Sequence, residues 1–417
     1  MSHIHPARRL PAAIAALLCL ASTTRVVADT ELPAAAAHGL ELVAPKGRWV
    51  MRVELRESGY SRVFDDAGNR HPLGAAFDNV ALGANVFPAL GVFGAGASLG
   101  TTDASSRLSA ERMEIRAGYG VTENLTVGVI LPFGHTRNGI GFRVDGGNIG
   151  FNPAFDPTLP IGPTNFPFAP VGMGASAPLG TADVQEILTN PAFGLGYKPL
   201  RSTTTEGPSD PTAGFLWRFW RDAANSATFG SGVRFGIQGE NDPDNLADLP
   251  LDDGSTDLIG QLESVHQLSP YWDLRLQAKR TLQTSDHVTV RVPGAGELLP
   301  AYATREQVKR DLGDFWEYDI ELGRSVANWR VAGTWHRWDK SADDYDSARG
   351  TDTRALETYT NIFADQWRLS LSWSGIRAWQ DGKLPLPLIV KLETQQTFAG
   401  RNMTDVYDYY VQFTSFF

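Results

Sequence analysis

Apolar and polar residues alternate one by one through most of this chain. Trp49, Met51, Val53 and Leu55 fall on one side of a period of two, with Arg52, Glu54 and Arg56 between them. A repeat of two belongs to an extended strand, whose successive side chains point to opposite faces. The pattern returns at 112–119, where Met113, Ile115, Ala117 and Tyr119 oppose Arg112, Glu114 and Arg116. After the turn at 120–124 it resumes as Leu125, Val127, Val129, Leu131 and Phe133. Two such runs joined by a short turn predict a hairpin. Further strands are predicted at 193–197, 229–237, 257–263, 272–279, 316–322, 329–336, 359–363, 367–373 and 388–395. The final run, DVYDYYVQFTSFF (405–417), sets Tyr407, Tyr409, Val411 and Phe413 against Asp408, Gln412 and Thr414 and ends on Phe417.

The opposing faces decide the class. One side of these strands is greasy and the other densely charged, which suits neither a buried sheet nor a solvated one. A closed barrel with lipid outside and a polar lumen inside satisfies both faces and leaves no strand edge unpaired. Such barrels close with an even number of strands. Thirteen runs are recognised, so the expectation is an all-β transmembrane antiparallel barrel of twelve or fourteen strands, the last pairing with the first. Trp49, Trp272, Trp316, Trp329 and Trp367 are expected at strand ends, where indole rings favour the bilayer interface. One segment, GFLWRFWRDAAN (214–225), reads as an amphipathic helix, with Phe215, Leu216, Phe219, Trp220 and Ala223 on one face. It is expected in the interface or as a lumen plug. Stretches 60–106 and 134–182 read as long loops.

The first residues change where this barrel is placed. Arg8 and Arg9 precede a short apolar run, Leu10–Ala21, and Val26-Val27-Ala28 offers a small-x-small cleavage site. This predicts a signal peptide over 1–28, cut after Ala28, and a barrel over 29–417. The single cysteine, Cys19, lies in that leader, so disulfides and cysteine chemistry are excluded from the rest. Losing Arg8, Arg9 and Arg25, and no acid, moves the formal net charge from −10 to −13, which argues against nucleic acid as a partner. Forty-two glycines and 10% aromatics suit turns and interfacial girdles.

YGVTENLTVGVILPF (119–133), GTADV (180–184), ENDPDNLADLPLDDGSTDLIG (240–260) and SVHQLSPYWDLRL (264–276) resemble the outer-membrane proteins associated with the meta-pathway of phenol degradation. Those proteins are broadly similar to fatty-acid and aromatic-hydrocarbon channels. The resemblance spans roughly Trp49 to Phe417 and implies passive transport of small hydrophobic or aromatic compounds. It carries no catalytic residues, and the chain departs from it in the 134–182 loop and the 214–225 segment.

The expected lumen residues are Arg52, Glu54, Arg56, Arg112, Glu114, Arg116, Arg234, Glu263, Arg275, Lys279, Glu317, Asp319, Glu321, Lys391 and Glu393, joined by Asp408, Tyr410, Gln412 and Thr414. Their mixed signs fit either cross-strand ion pairs or a selectivity ring. Loop 134–182, with Phe142, Phe151, Phe155, Phe166 and Phe168, either folds into the mouth as an aromatic constriction or packs on itself or on lipopolysaccharide. The acidic loops 244–257 and 339–352 lack the EF-hand pattern and read as solvated, with a calcium site or lipopolysaccharide-bridging ions as alternatives. The scattered His135, His266, His287 and His336 give no catalytic constellation, even with Ser269 near His266. The function expected is therefore a passive outer-membrane channel, with no enzyme activity, metal or cofactor. A structural or adhesive barrel, or a barrel hydrolase, stand as the alternatives. Lipid, lipopolysaccharide and, through Phe417, the barrel assembly machinery are its expected partners.

Overall fold

The computed structural model describes residues 43–162, 164–237 and 242–417. The expected signal peptide and its cleavage site lie outside them. Alternating side chains produce twelve long strands: β1 (Trp49–Phe64), β2 (Ser98–Thr122), β3 (Leu125–Gly146), β4 (Thr212–Arg221), β5 (Asn225–Arg234) and β6 (Asp257–Gln267). Then follow β7 (Trp272–Gln283), β8 (Phe315–Val326), β9 (Trp329–Lys340), β10 (Ile362–Ser374), β11 (Leu388–Arg401) and β12 (Met403–Phe416). Each pairs antiparallel with the next, and β1 pairs with both β2 and β12, so the sheet closes on itself. Closure satisfies every strand's backbone without water, the condition for crossing a bilayer.

The outward set is apolar and uncovered: Val127, Val129, Leu131 and Phe133 on β3, Ile320 and Leu322 on β8, Leu369 and Leu371 on β10. No described helix is long and apolar enough to cross a membrane. Trp49, Trp272 and Trp329 mark the short-turn end of the wall and Trp316 the opposite end, whereas Trp367 sits mid-strand opposite Trp335. At the short-turn end β2–β3, β4–β5, β6–β7 and β8–β9 are joined by two to four residues. All but one of the connections at the other end are long; between β11 and β12 the chain reverses through Asn402, in the left-handed region at φ 52°.

Four expectations are corrected. The segment 214–225 is not a helix: Thr212–Arg221 is β4, hydrogen-bonded to β3 and β5, with Phe215, Trp217 and Phe219 facing out. The run 193–197 contributes no barrel strand, because three alternating residues cannot cross a bilayer that needs about 9–11; it is a turn and loop outside the wall. The two runs at 359–363 and 367–373 are one strand, β10. With these changes the thirteen runs become twelve strands. The loops are also shorter than expected, since β1 runs to Phe64, β2 begins at Ser98 and β3 continues to Gly146. GTADV opens a helix, α1 (Thr181–Thr189), where the Asp183 carboxylate accepts the Gly180 N–H at 2.7 Å.

β2 and β3, at 25 and 22 residues, rise well beyond the bilayer. The largest apolar cluster among the described residues packs on this extension. Leu99 and Val144 are joined there by Ile149 and Phe168, by Val184, Ile187 and Leu188 of α1, and by Leu195 and Tyr197. The main core thus lies above the wall.

Candidate functional site

The side chains expected in the lumen share one face of the sheet. Direct cross-strand partners point the same way, and the register pairs Arg52 with Arg116 and Thr414, Arg56 with Arg112 and Tyr410, and Arg275 with Glu321. The charges are mostly paired on the spot. Arg275 donates to Glu263 at 2.5 Å, Lys279 to Glu317 at 2.6 Å, Arg116 to Glu114 at 2.7 Å, and Lys391 lies 2.6 Å from Glu393. Gln412 donates to Glu54 at 2.8 Å.

Two further groups extend across several strands. Arg330 on β9 holds Asp273 of β7 at 2.5 Å and Glu321 of β8 at 2.7 Å, while Thr334 donates to the second Glu321 oxygen. Arg56 is paired with Asp408, which accepts from Gln395; Gln395 in turn accepts from Arg368, and Arg368 reaches Asp319 beside His336. Arg368 and Arg218 escaped the sequence reading. Arg368 sits between Trp367 and Leu369 and is legible as inward by parity alone; Arg218 falls in the segment whose pattern predicts a helix.

The aromatic residues of 134–182 separate. Phe142 is on β3, on the same inward parity as Asn138 and Val144, and packs with Phe166 and Phe168 into the cluster above the wall. Phe166 meets Phe93 and Phe168 with ring centroids 5.6 and 5.7 Å apart, and Phe168 stacks on Phe193. Phe151 touches Phe168 from an exposed position, and Phe155 is half-buried elsewhere in the loop.

A different loop reaches the lumen residues at the mouth. Residues 242–256, which hold most of the stretch 244–257 that reads as solvated, descend along the inner face of β3. Asn138 Nδ2 and Thr203 Oγ1 both donate to the Ala247 carbonyl, and Leu251 lies against Gly134. The Asp252 carboxylate accepts from Arg112 at 3.2 Å, from the Asp210 N–H at 2.9 Å and from Ser209 Oγ. Asp253 accepts from Arg234 at 3.1 Å, from Gln283 at 3.0 Å, and from the Ser255 N–H and Oγ. Arg234 also pairs with Asp257. No group of described histidine, cysteine and acidic residues is arranged to hold a metal ion. Arginines from the barrel answer these carboxylates.

Burial pushes Asp253 up, but the Arg234 guanidinium and the Ser255 hydrogen bonds outweigh it and leave the carboxyl below its ordinary range. Ionised Asp253 therefore stabilises the docked loop at every pH above the ordinary aspartate value. That stabilisation is lost only as pH falls through the lowered value. Single-channel conductance is expected to be the same at pH 7 and pH 5 and to change below about pH 4. A transition near pH 6 would assign the loop's anchoring to another group.

At the opposite end, residues 43–48 enter the barrel. Ala44 is buried and donates its N–H to Thr126 Oγ1 at 2.8 Å, and the Gly47 N–H donates to the Gly120 carbonyl. A side chain at Gly120 would collide with the Pro45 carbonyl, so only glycine admits this segment. Gly96–Gly100 reads GASLG, the spacing of a hydrolase nucleophile, but Ser98 opens a strand and bonds to Gly100, not on a strand-to-helix elbow.

The closed wall, lipid-facing exterior and charged interior define a transmembrane β-barrel of the outer-membrane kind. No protein-family model matches the chain, and no curated protein matches it in sequence. Among solved structures it is similar to an outer membrane channel from Pseudomonas putida F1, at 10% identity and a TM-score of 0.52. That match covers 93% of this chain and all of the other, and at such low identity it bears on the fold alone. The toluene transporter TbuX of Ralstonia pickettii matches over 93% of this chain and 98% of its own, at 11% identity and a TM-score of 0.37, too distant to carry weight here.

Proposed function

We propose that this chain is a passive outer-membrane channel for small hydrophobic or aromatic compounds, and that it belongs with the phenol-degradation barrels its sequence resembles. The observation that carries the solute class is the aromatic cluster overhanging the mouth. Phe142, Phe166, Phe168 and Phe193 gather on the inward side of the β2–β3 extension, above a lumen whose other strands carry ion pairs. An apolar solute arriving from outside gains from the half-buried rings of Phe142, Phe166 and Phe193, which Phe168 backs from the core, before it meets any charge. Passage then needs no energy source and no cofactor. Lipid and lipopolysaccharide surround the wall in this reading, and the terminal Phe417 is offered to the assembly machinery. Phe417 also closes the seam, packing near Val53 and exchanging backbone hydrogen bonds with Trp49.

The test uses cells with an intact lipopolysaccharide leaflet, with and without this chain. Producing it is expected to raise the initial rate of radiolabelled toluene uptake, and the purified protein is expected to conduct in planar bilayers. Unchanged uptake together with silent bilayers would reject the channel.

A further inference from the structure

The inner wall of this barrel is divided into two unlike parts. From β6 round through β12 to β2 it carries the paired charges described above. Across β3, β4 and β5 the inward positions are instead small or apolar. The register sets Gly128 beside Gly214 and Gly232, Ile130 beside Thr212, and Leu216 beside Gly230. Ile259 of β6 continues the row from Gly232. Among the described residues, no ionisable side chain stands on this face between Arg218 at the turn end and Arg234 at the mouth. A side chain added at Gly128 or Gly214 would meet the backbone of the neighbouring strand, so this stretch of wall stays bare.

Both ends of the strip are covered and its middle is not. Thr126 is buried under the Ala44 segment. At the mouth, a methyl at Gly134 would lie 2.7 Å from Leu251 Cδ2, so Leu251 occupies the place a side chain there would take. Between them Gly128, Ile130, Thr212 and Leu216 are half-exposed. The two halves of the wall treat an uncharged ring differently. Against the ion pairs, the ring would strip water from charges and return no hydrogen bond. Against the strip, it displaces water from apolar and glycine surface at no such cost.

We propose that this uncharged face of β3–β5 is the binding path of the apolar solute inside the barrel, and that Leu251 closes it from outside. The assignment rests on the channel reading above. It is tested in the same toluene assay by placing either sign of charge on the strip, with Ile130→Glu beside Arg116 and Leu216→Lys beside Gly230. Each is expected to cut the toluene rate about tenfold, the effect of roughly 1.4 kcal/mol against passage. Gln412→Lys, a charge added next to Glu54 on the other half, is expected to stay within about twofold of the parent. Leu251→Ser is expected to raise the rate. A heat-dependent gel shift reports folding of each variant, and Thr212→Asp, which faces Arg234 across the register, replaces any variant that loses the shift. If the parent chain carries toluene and the strip variants do no more harm than Gln412→Lys, the path is overturned and the channel stands. If the parent carries none, the channel reading falls and the path with it.

Discussion

Replacing Arg330 by leucine is expected to destabilise the barrel by about 3–5 kcal/mol, more than any other single lumen substitution. The guanidinium is almost wholly shielded, at 4% side-chain exposure, and it is the common partner of Asp273 and Glu321, which are shielded as fully. It donates to three carboxylate oxygens on two other strands. Removing it leaves two like charges buried together on neighbouring strands, which costs far more than the net value of the pairs themselves. The neighbourhood is built for this group: a side chain at Gly323 would collide with the Arg330 guanidinium. Urea unfolding in lipid vesicles measures the loss. Asp273→Asn with Glu321→Gln in the Arg330→Leu background should recover most of it, because the stranded charges are then gone. A single variant as stable as the parent would mean that lumen water solvates these carboxylates.

The charged belt was legible because parity alone fixes it. Once Trp49–Leu55 is a strand with its apolar residues in lipid, Arg52, Glu54 and Arg56 must face inward, and the same holds on β2, β7 and β8. The partners were less legible. Glu263 and Arg275 are near in sequence and joined by one turn, whereas Arg112 and Asp252 are 140 positions apart, and no spacing rule connects them. For that reason the acidic loop read as solvated, when its carboxylates are matched to arginines of the mouth. The error at 214–225 has a different cause. Phe215, Trp217 and Phe219 fit a period of two, while Phe215, Phe219 and Leu216, Trp220 fit a period near four, so local pattern could not choose. Tertiary pairing chose: Gly214 lies between Gly128 and Gly232, a close approach that only neighbouring strands would use. The division of the inner wall followed from that correction, since it is invisible while β4 is a helix.

Cutting the anchors of loop 242–256 is expected to have the largest effect on conductance. In Asp252→Asn with Asp253→Asn, Arg112 and Arg234 lose carboxylate partners at 3.2 and 3.1 Å, while the loop keeps its size and most of its hydrogen-bonding shape. Arg112 and Asp253 are about one-third exposed, so water and salt screen these pairs, and the two together contribute about 1–2 kcal/mol. That is enough to raise the undocked fraction about tenfold, and Leu251 leaves Gly134 with it. Planar-bilayer recordings should show longer residence in the higher-conductance level. High salt supplies an independent check. At about 1 M the screening length falls to roughly 3 Å, so the parent channel should move toward the behaviour of the double variant, which itself should respond little. Ala247 remains held by Asn138 and Thr203 in both, so the loop's outer part is expected to stay in place and only its tip to swing. A double variant with the parent's conductance at every salt concentration would mean that the tip is held by apolar packing of Leu251, and Leu251→Ser would then open the channel where the charge substitutions do not.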